Sequence, residues 1–163
     1  MASADRLEDL AQIVLNNLEN QQDWTRLQIH HGPSHPRPLI SGLSPRRLYT
    51  HPDEQIEILK AERHLGGARL PQPPEFEWVL PVHLVEKPTI GQFAAVFDSI
   101  DALPPDALSE DDTAAEGGDD AAARWKQWRG SKRQKRIVLA VVQDDSTVSY
   151  YVMHDGIVKP RQN

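Results

Sequence analysis

At 163 residues, the chain is long enough for one domain with a substantial core, and without cysteine it has no disulfide, thiolate nucleophile or cysteine zinc site. Its formal net charge of -6 argues against a protein that binds nucleic acid over its whole surface. No stretch approaches the ~20 apolar residues of a membrane span, and the N-terminus has no signal-peptide pattern. These features predict an intracellular soluble protein.

Charges in the second half of the chain are segregated by sign. Every charge between residues 105 and 120 is acidic, and this stretch has two glycines and no aromatic residue, so we expect a disordered loop that is dispensable for folding. Every charge from residue 124 to residue 136 is basic. The members of this basic segment are Arg124, Lys126, Arg129, Lys132, Arg133, Lys135 and Arg136.

Apolar spacing and capping residues predict four helical segments. In the first, apolar residues recur at helical spacing from Leu7 to Leu18. Thr89 and Gln92 form a capping box at the start of the third, and Gly130 weakens the fourth. The segments run from Ser3 to about Asn20, from the cap Thr50 to the glycines at 66–67, from Thr89 to Leu103, and over residues 121–134.

Strand patterns occupy residues 24–30, 76–85, 137–142 and 147–153. Pro81 inside the second of these predicts an edge strand or a bulge. Residues 32–45 carry four prolines and two glycines, which predicts an extended surface connection. Together the elements predict an α+β (mixed α/β) fold: a single domain over residues 1–163 whose mixed sheet is packed by helices and ends in a strand hairpin.

The terminal hairpin and several upstream segments resemble a known family. The segments are 136–142, 145–151, 155–157 with Pro160, 38–43, 48–60 and 78–100. They are similar to the smallest, non-catalytic subunit of the eukaryotic tRNA-splicing endonuclease, the Sen-fifteen type. The resemblance covers most of the chain apart from the acidic stretch near residue 110.

The resemblance implies a tRNA-intron-endonuclease-like domain that acts as a structural subunit without cofactor or metal. Such a subunit pairs with a catalytic subunit in a heterotetramer that excises introns from precursor tRNA, and we expect it in the nucleus. Pairing would use the last strand, and the same strand makes the isolated chain a candidate homodimer. The candidate interface residues are Val148, Tyr150, Tyr151, Val152 and Met153, and the candidate acidic docking residues are Asp144 and Asp145.

Catalysis in this family uses a tyrosine base, a histidine acid and a lysine beside the scissile phosphate, all converging without metal. Lys135 matches the lysine position, although a basic residue at a solvated helix end explains it too. Tyr49 and His51 lie only two residues apart in a proline-rich segment, so the closely spaced tyrosine and histidine of the family are not recognisable. We therefore predict no catalytic residue.

Two other functions remain open from the residues alone. The chain could be an active metal-independent RNase if Tyr49, His51 and Lys135 converge, or a stand-alone module that binds RNA through its basic helix. The RNA-contact candidates are Arg124, Lys126, Arg129, Lys132, Arg133 and Lys135, with Trp125 and Trp128 as candidates for stacking on bases. The alternative is a solvated face for the charges and core positions for the two tryptophans. His30, His31 and His35, with His51, form a histidine cluster that we interpret as polar strand-end residues rather than a metal site.

Overall fold

A computed structural model describes residues 4–105, 107 and 124–156, and these residues form one five-stranded sheet packed by helices. The α-helices are α1 (Ala4–Asn20), α2 (Pro52–His64) and α3 (Ile90–Asp98). The strands are β1 (Thr25–His30), β2 (Leu39–Leu43), β3 (Phe76–His83), β4 (Arg136–Val142) and β5 (Val148–His154). Two short 3-10 helices, Arg124–Trp128 and Gly130–Lys132, precede β4.

The sheet is mixed, as predicted, with the spatial order β1-β2-β3-β4-β5. All neighbouring strands run antiparallel except β3 and β4, which are parallel. A parallel pair needs a crossover connection, and here α3 and the two 3-10 helices lie within it. The α+β class and the C-terminal hairpin are confirmed.

The inner strands are buried on both faces. On one face α1 packs against Ile40, Val79 and Val138, and on the other α3 packs against Trp78 and Leu80, among further apolar residues. This two-sided burial explains why residues 137–142 form an unbroken apolar run, since alternate residues of β4 serve opposite cores.

The interpretation of residues 32–45 as a surface connection is wrong, because Leu39–Leu43 form the inner strand β2. The prolines of this stretch all lie outside β2, so none removes a hydrogen bond from its ladder. Gly42 lets Leu27 of β1 lie close over β2, since a Cβ at Gly42 would stand 2.6 Å from Leu27 Cδ2.

The prediction that Pro81 marks an edge strand or a bulge is also wrong, because β3 is the central strand of the sheet. Pro81 lies beyond Val79, the last β3 residue in the β2–β3 register. Its carbonyl accepts a hydrogen bond from Arg37 Nη2 at 2.9 Å instead. Proline is therefore tolerated because β2 does not extend far enough to pair with it.

Three helix details differ from or sharpen the predictions. The N-cap of α2 is His51 rather than Thr50, and His51 Nδ1 accepts from the Asp53 amide. The Thr89 capping box of α3 is confirmed. The predicted helix over 121–134 is 3-10 rather than α-helical where it is described. Arg129 separates its two parts, and Gly130, at φ +67°, begins the second. The acidic loop 105–120 lies outside the described residues apart from Pro105 and Ala107.

Candidate functional site

The last strand, β5, forms one open edge of the described sheet. Val148 and Tyr150 pack toward α1, and the Tyr150 hydroxyl donates to Asn17 Oδ1, while burial raises the Tyr150 pKa to about 12. Met153 packs on the opposite core beside α3. Tyr151 is 59% exposed and Val152 is also exposed, so the strand presents apolar side chains to solvent.

The hydrogen-bond pattern shows which main-chain groups of β5 face this edge. The Gln143 amide donates to the Thr147 carbonyl at 2.9 Å, and the Asp155 amide donates to the Lys135 carbonyl at 3.0 Å. Because bonding alternates along an antiparallel pair, the odd-numbered residues between them bond to β4. The even-numbered residues, from Val148 to His154, therefore direct their N–H and C=O groups away from β4.

An acidic turn, Asp144 and Asp145, joins β4 to β5. Asp145 Oδ1 accepts from the Thr147 amide at 3.0 Å, and hydrogen bonds from Thr147 lower the Asp145 pKa. Asp144 Oδ1 lies 3.1 Å from His83 Nε2. Both carboxylates remain exposed, so the turn presents negative charge to solvent. The Asp145 hydrogen bond fixes the backbone of this turn.

The three residues considered for catalysis contact different neighbours. The Tyr49 ring lies 4.4 Å from the His154 ring, the His51 ring stacks on Trp128 at 5.9 Å, and Lys135 Nζ donates to the Phe97 carbonyl at 3.1 Å. Burial raises the pKa of Tyr49 against the opposing charge of Arg136, which disfavours the phenolate that a general base requires. The three groups do not share a hydrogen-bonded site.

A buried ion-pair cluster, which the sequence analysis did not predict, joins α2 and the basic segment to β3. Its members are Arg47, Glu54, Glu75, Glu77, Arg129, Arg133 and Arg136. Arg136 forms a double contact with Glu77 and also reaches Glu75 at 3.2 Å. Glu54 pairs with Arg47 and with Arg129. The cluster closes the end of the sheet where β4 begins.

The Sen15 protein family model matches residues 13–113 and 120–163. The chain belongs to the Sen15 family. A Neurospora crassa relative named probable tRNA-splicing endonuclease subunit tsp-1 is 58% identical over 163 residues, which are 100% of this chain and 70% of the relative. The Eremothecium gossypii tRNA-splicing endonuclease subunit SEN15 is 25% identical over 157 residues, which are 96% of this chain and 93% of that protein.

In this Sen15 family member some residues of the basic segment form ion pairs or hydrogen bonds within the fold, and others are exposed. Arg129, Arg133 and Arg136 belong to the ion-pair cluster, and Lys135 bonds the end of α3. Of the RNA-contact candidates, Arg124 and Lys132 are exposed and Lys126 is half-buried, with its Nζ 5.8 Å from the Trp125 ring. Neither tryptophan of the segment is fully buried, so both lie at the surface rather than in the core.

The histidines of the predicted cluster have different polar partners, and the His30 and His35 rings lie 6.2 Å apart beside Trp78. His30 Nε2 lies 2.7 Å from Ser41 Oγ, His35 Nδ1 lies 3.2 Å from Ser99 Oγ, and His31 Nδ1 lies 3.1 Å from Glu8. Across residues 4–105, 107 and 124–156, no group of three histidine or acidic residues could hold a metal ion. No helix in this described part is long and apolar enough to cross a membrane.

Acid should weaken the ion-pair cluster. Burial alone would raise the pKa of Glu75, but the charges of Arg136, Arg47 and Arg133 outweigh burial and lower it below its ordinary value of 4.5. A lowered carboxyl pKa stabilises the fold above the ordinary pKa, and this contribution is lost as the pH falls. We expect the free energy of unfolding to fall below about pH 4.5, and to fall less steeply in Glu75→Gln. Denaturant titrations at several pH values measure this dependence, and the same fall in the free energy of unfolding with pH in both chains would contradict the prediction.

Proposed function

We propose that this chain is a structural, non-catalytic subunit of the tRNA-splicing endonuclease. In this role it pairs with a catalytic subunit, and the resulting heterotetramer excises introns from precursor tRNA in the nucleus. The observation that carries the proposal is the open β5 edge, where Tyr151 and Val152 are exposed beside outward main-chain groups. Membership of the Sen15 family, with relatives named as subunits of this enzyme, supports it.

The β5 edge suits pairing with another strand for physical reasons. An open edge has unpaired N–H and C=O groups, so an added strand gains main-chain hydrogen bonds and a defined register. Tyr151 offers a large aromatic contact of the kind that anchors interfaces. The acidic turn, Asp144 and Asp145, would dock on a catalytic subunit of the other pair. In the isolated chain the same edge would be open to a second copy.

Proline at Val152 should block pairing without disturbing the fold. The Val152 amide faces the open edge, so proline there removes an outward donor while the β4–β5 ladder stays intact. We expect Val152→Pro to weaken binding to the catalytic subunit at least about tenfold, measured by titration of purified full-length subunits. Val152→Thr, which keeps the amide, is the matched control.

A second variant and a folding measurement complete that experiment. Ser149 lies in a hydrogen-bonded pair with β4, so Ser149→Pro should disrupt the hairpin itself and serve as a reference for loss of folding. Val152→Pro should instead keep the circular dichroism spectrum of the unaltered chain. Full binding by a folded Val152→Pro chain would contradict the proposed edge pairing.

The isolated chain should not cleave intron-containing precursor tRNA. Tyr49, His51 and Lys135 contact different neighbours, and the Tyr49 pKa is raised, so no acid and base pair meets beside the lysine. The measurement is product formation by the purified chain over hours at neutral pH. Cleavage that disappears in Lys135→Ala would assign the activity to this chain and overturn its non-catalytic role.

Direct RNA contact is a second candidate function, favoured by Arg124 and Lys132, which are exposed on one short segment that also holds the half-buried Trp125. Lys126 and Arg129 lie near the Trp125 ring, at 5.8 Å and 4.2 Å from its centroid. Binding of tRNA by the partner-free chain, weakening steeply with salt, would support this function. Arg124→Glu with Lys132→Glu should abolish that binding if the segment provides it.

A further inference from the structure

Three aromatic side chains, which we call the ring strip (Trp125, Trp128 and His51), form a row where α2 meets the basic segment. Trp125 and Trp128 belong to the first 3-10 helix. In a 3-10 helix, side chains three residues apart eclipse one another and lie about 6 Å apart along the axis. The His51 ring, at the start of α2, stacks on the Trp128 ring with their centroids 5.9 Å apart and their planes at 21°. The 3-10 geometry therefore aligns the two tryptophans, and α2 extends the row.

Contacts with α2 and β3 hold the ring strip in place. The Arg129 guanidinium lies 4.2 Å from the centroid of the Trp125 ring. Arg129 Nε lies 3.4 Å from the carboxylate of Glu54, which is buried on α2. Arg133 Nη2 donates to the Phe76 carbonyl at 2.7 Å, which ties the end of the segment to β3. Rings held in this way lose little conformational entropy when a ligand stacks on them.

The tryptophans of the ring strip differ in burial from the other two in the chain. Trp24 and Trp78 are buried in the cores on the two faces of the sheet. Trp125, Trp128 and His51 are half-buried. Within the described part of the chain, neither Trp125 nor Trp128 belongs to a hydrophobic core cluster. Core packing therefore does not explain why three rings are aligned here.

The charges around the ring strip favour an anionic ligand. Arg124 and Lys132 are exposed, and Lys126 is half-buried beside the strip. The exposed acid Asp53 lies 3.9 Å from His51 Nδ1, and these three cations outnumber it. The glutamates of the ion-pair cluster are already paired with arginines. Aligned rings with cations beside them suit a ligand that has both aromatic faces and negative charge, and single-stranded nucleic acid has both.

We propose that the ring strip binds unpaired nucleotides of RNA, with bases stacked on the rings and phosphates beside the exposed cations. Duplex RNA fits less well, because its bases are stacked on one another and do not offer their faces to side chains. Stacking accepts any base, since every base has an aromatic face. This inference rests on direct RNA contact, the second candidate function, and it names the form of RNA and the rings that bind it.

The test compares the binding of single-stranded oligouridine and of an RNA duplex of equal length to the purified full chain. At physiological salt we expect tighter binding of oligouridine. Trp125→Ala with Trp128→Ala should weaken oligouridine binding at least about tenfold, and the salt dependence should stay the same because the cations remain. Trp125→Phe with Trp128→Phe keeps two aromatic rings and is the matched control. His51→Asn, which keeps a capping acceptor for α2, should weaken binding less.

Tryptophan fluorescence gives a second readout, which does not need a variant. Stacked bases quench the fluorescence of the indole rings that they contact. Because Trp24 and Trp78 are buried, quenching by oligouridine reports on Trp125 and Trp128. We expect oligouridine to quench the unaltered chain in proportion to binding. A contact through phosphates alone would leave the fluorescence unchanged.

The outcomes separate this inference from direct RNA contact. Full oligouridine binding by a folded double-alanine variant, or binding without quenching, would overturn stacking and leave the phosphate contact in place. Tighter binding of the duplex would overturn the assignment to unpaired RNA. Absence of RNA binding by the unaltered chain would overturn both. Loss of the catalytic subunit by the folded double-alanine variant would assign the ring strip to a protein interface instead.

Discussion

Glu77→Gln should lower the free energy of unfolding by about 3–5 kcal/mol, the cost of removing one partner from a buried ion pair. Glu77 is buried and pairs with both Arg136 and Arg133, so its neutral replacement leaves two buried cations with fewer compensating charges. The measurement is equilibrium denaturation of the purified chain. We expect the midpoint to shift while the denaturant dependence stays the same.

Two comparisons separate the charge effect from a general loss of packing. Glu19→Gln changes an exposed carboxylate of α1 and should leave stability unchanged. Glu77→Leu with Arg136→Met removes both charges of the closest pair and should cost less than Glu77→Gln alone, because no cation of that pair remains buried. A Glu77→Gln chain as stable as the original would show that water or neighbouring carboxylates compensate the arginines.

Trp78→Ala should lower the free energy of unfolding by a similar amount, about 3–5 kcal/mol. Trp78 is buried in the core between the sheet and α3, where it packs with Phe97 and Ile100. Its Nε1 donates to the Asp101 carbonyl at 3.1 Å, just after α3, so the substitution removes a hydrogen bond as well as an aromatic ring.

Trp78→Phe is the matched control for this prediction, because it keeps an aromatic ring and loses the donor. We expect thermal and chemical denaturation to place it between Trp78→Ala and the unaltered chain. Trp125→Ala, at the half-exposed 3-10 segment, should have a much smaller effect. Equal losses at Trp78 and Trp125 would contradict the assignment of Trp78 to the core.

The elements that could be predicted from the sequence are those whose pattern is local. The unbroken apolar run of β4 reports its burial directly. In β5 the alternation correctly places Val148 and Tyr150 toward α1, whereas Val152 on the same face is exposed. Residues 39–43 carry the same kind of information, but the prolines around them indicate a connection and hid β2. The prediction from Pro81 failed for a related reason. Proline is excluded only where a neighbouring strand would accept its amide hydrogen bond, and β2 does not pair with β3 at Pro81.

The ion-pair cluster could not be predicted because its partners are distant in the sequence. Glu75 and Glu77 appear as ordinary charges around the start of a strand, and Arg133 and Arg136 appear as part of a basic run. No periodicity connects them, and only the fold brings the strands together. The same limitation applies to His83, whose two ring nitrogens connect a loop and a turn that are far apart in the chain.

The parallel pairing of β3 with β4 has a consequence for how the chain folds. Residues 84–135 separate the two strands, so this pairing closes a longer loop than the β1–β2 pairing or the β2–β3 pairing, which spans α2. We expect the antiparallel β1-β2-β3 part of the sheet to form first and the β4–β5 hairpin to join late. Until it joins, the apolar run 137–142 is exposed to other chains, so this stage of folding is the one most open to aggregation.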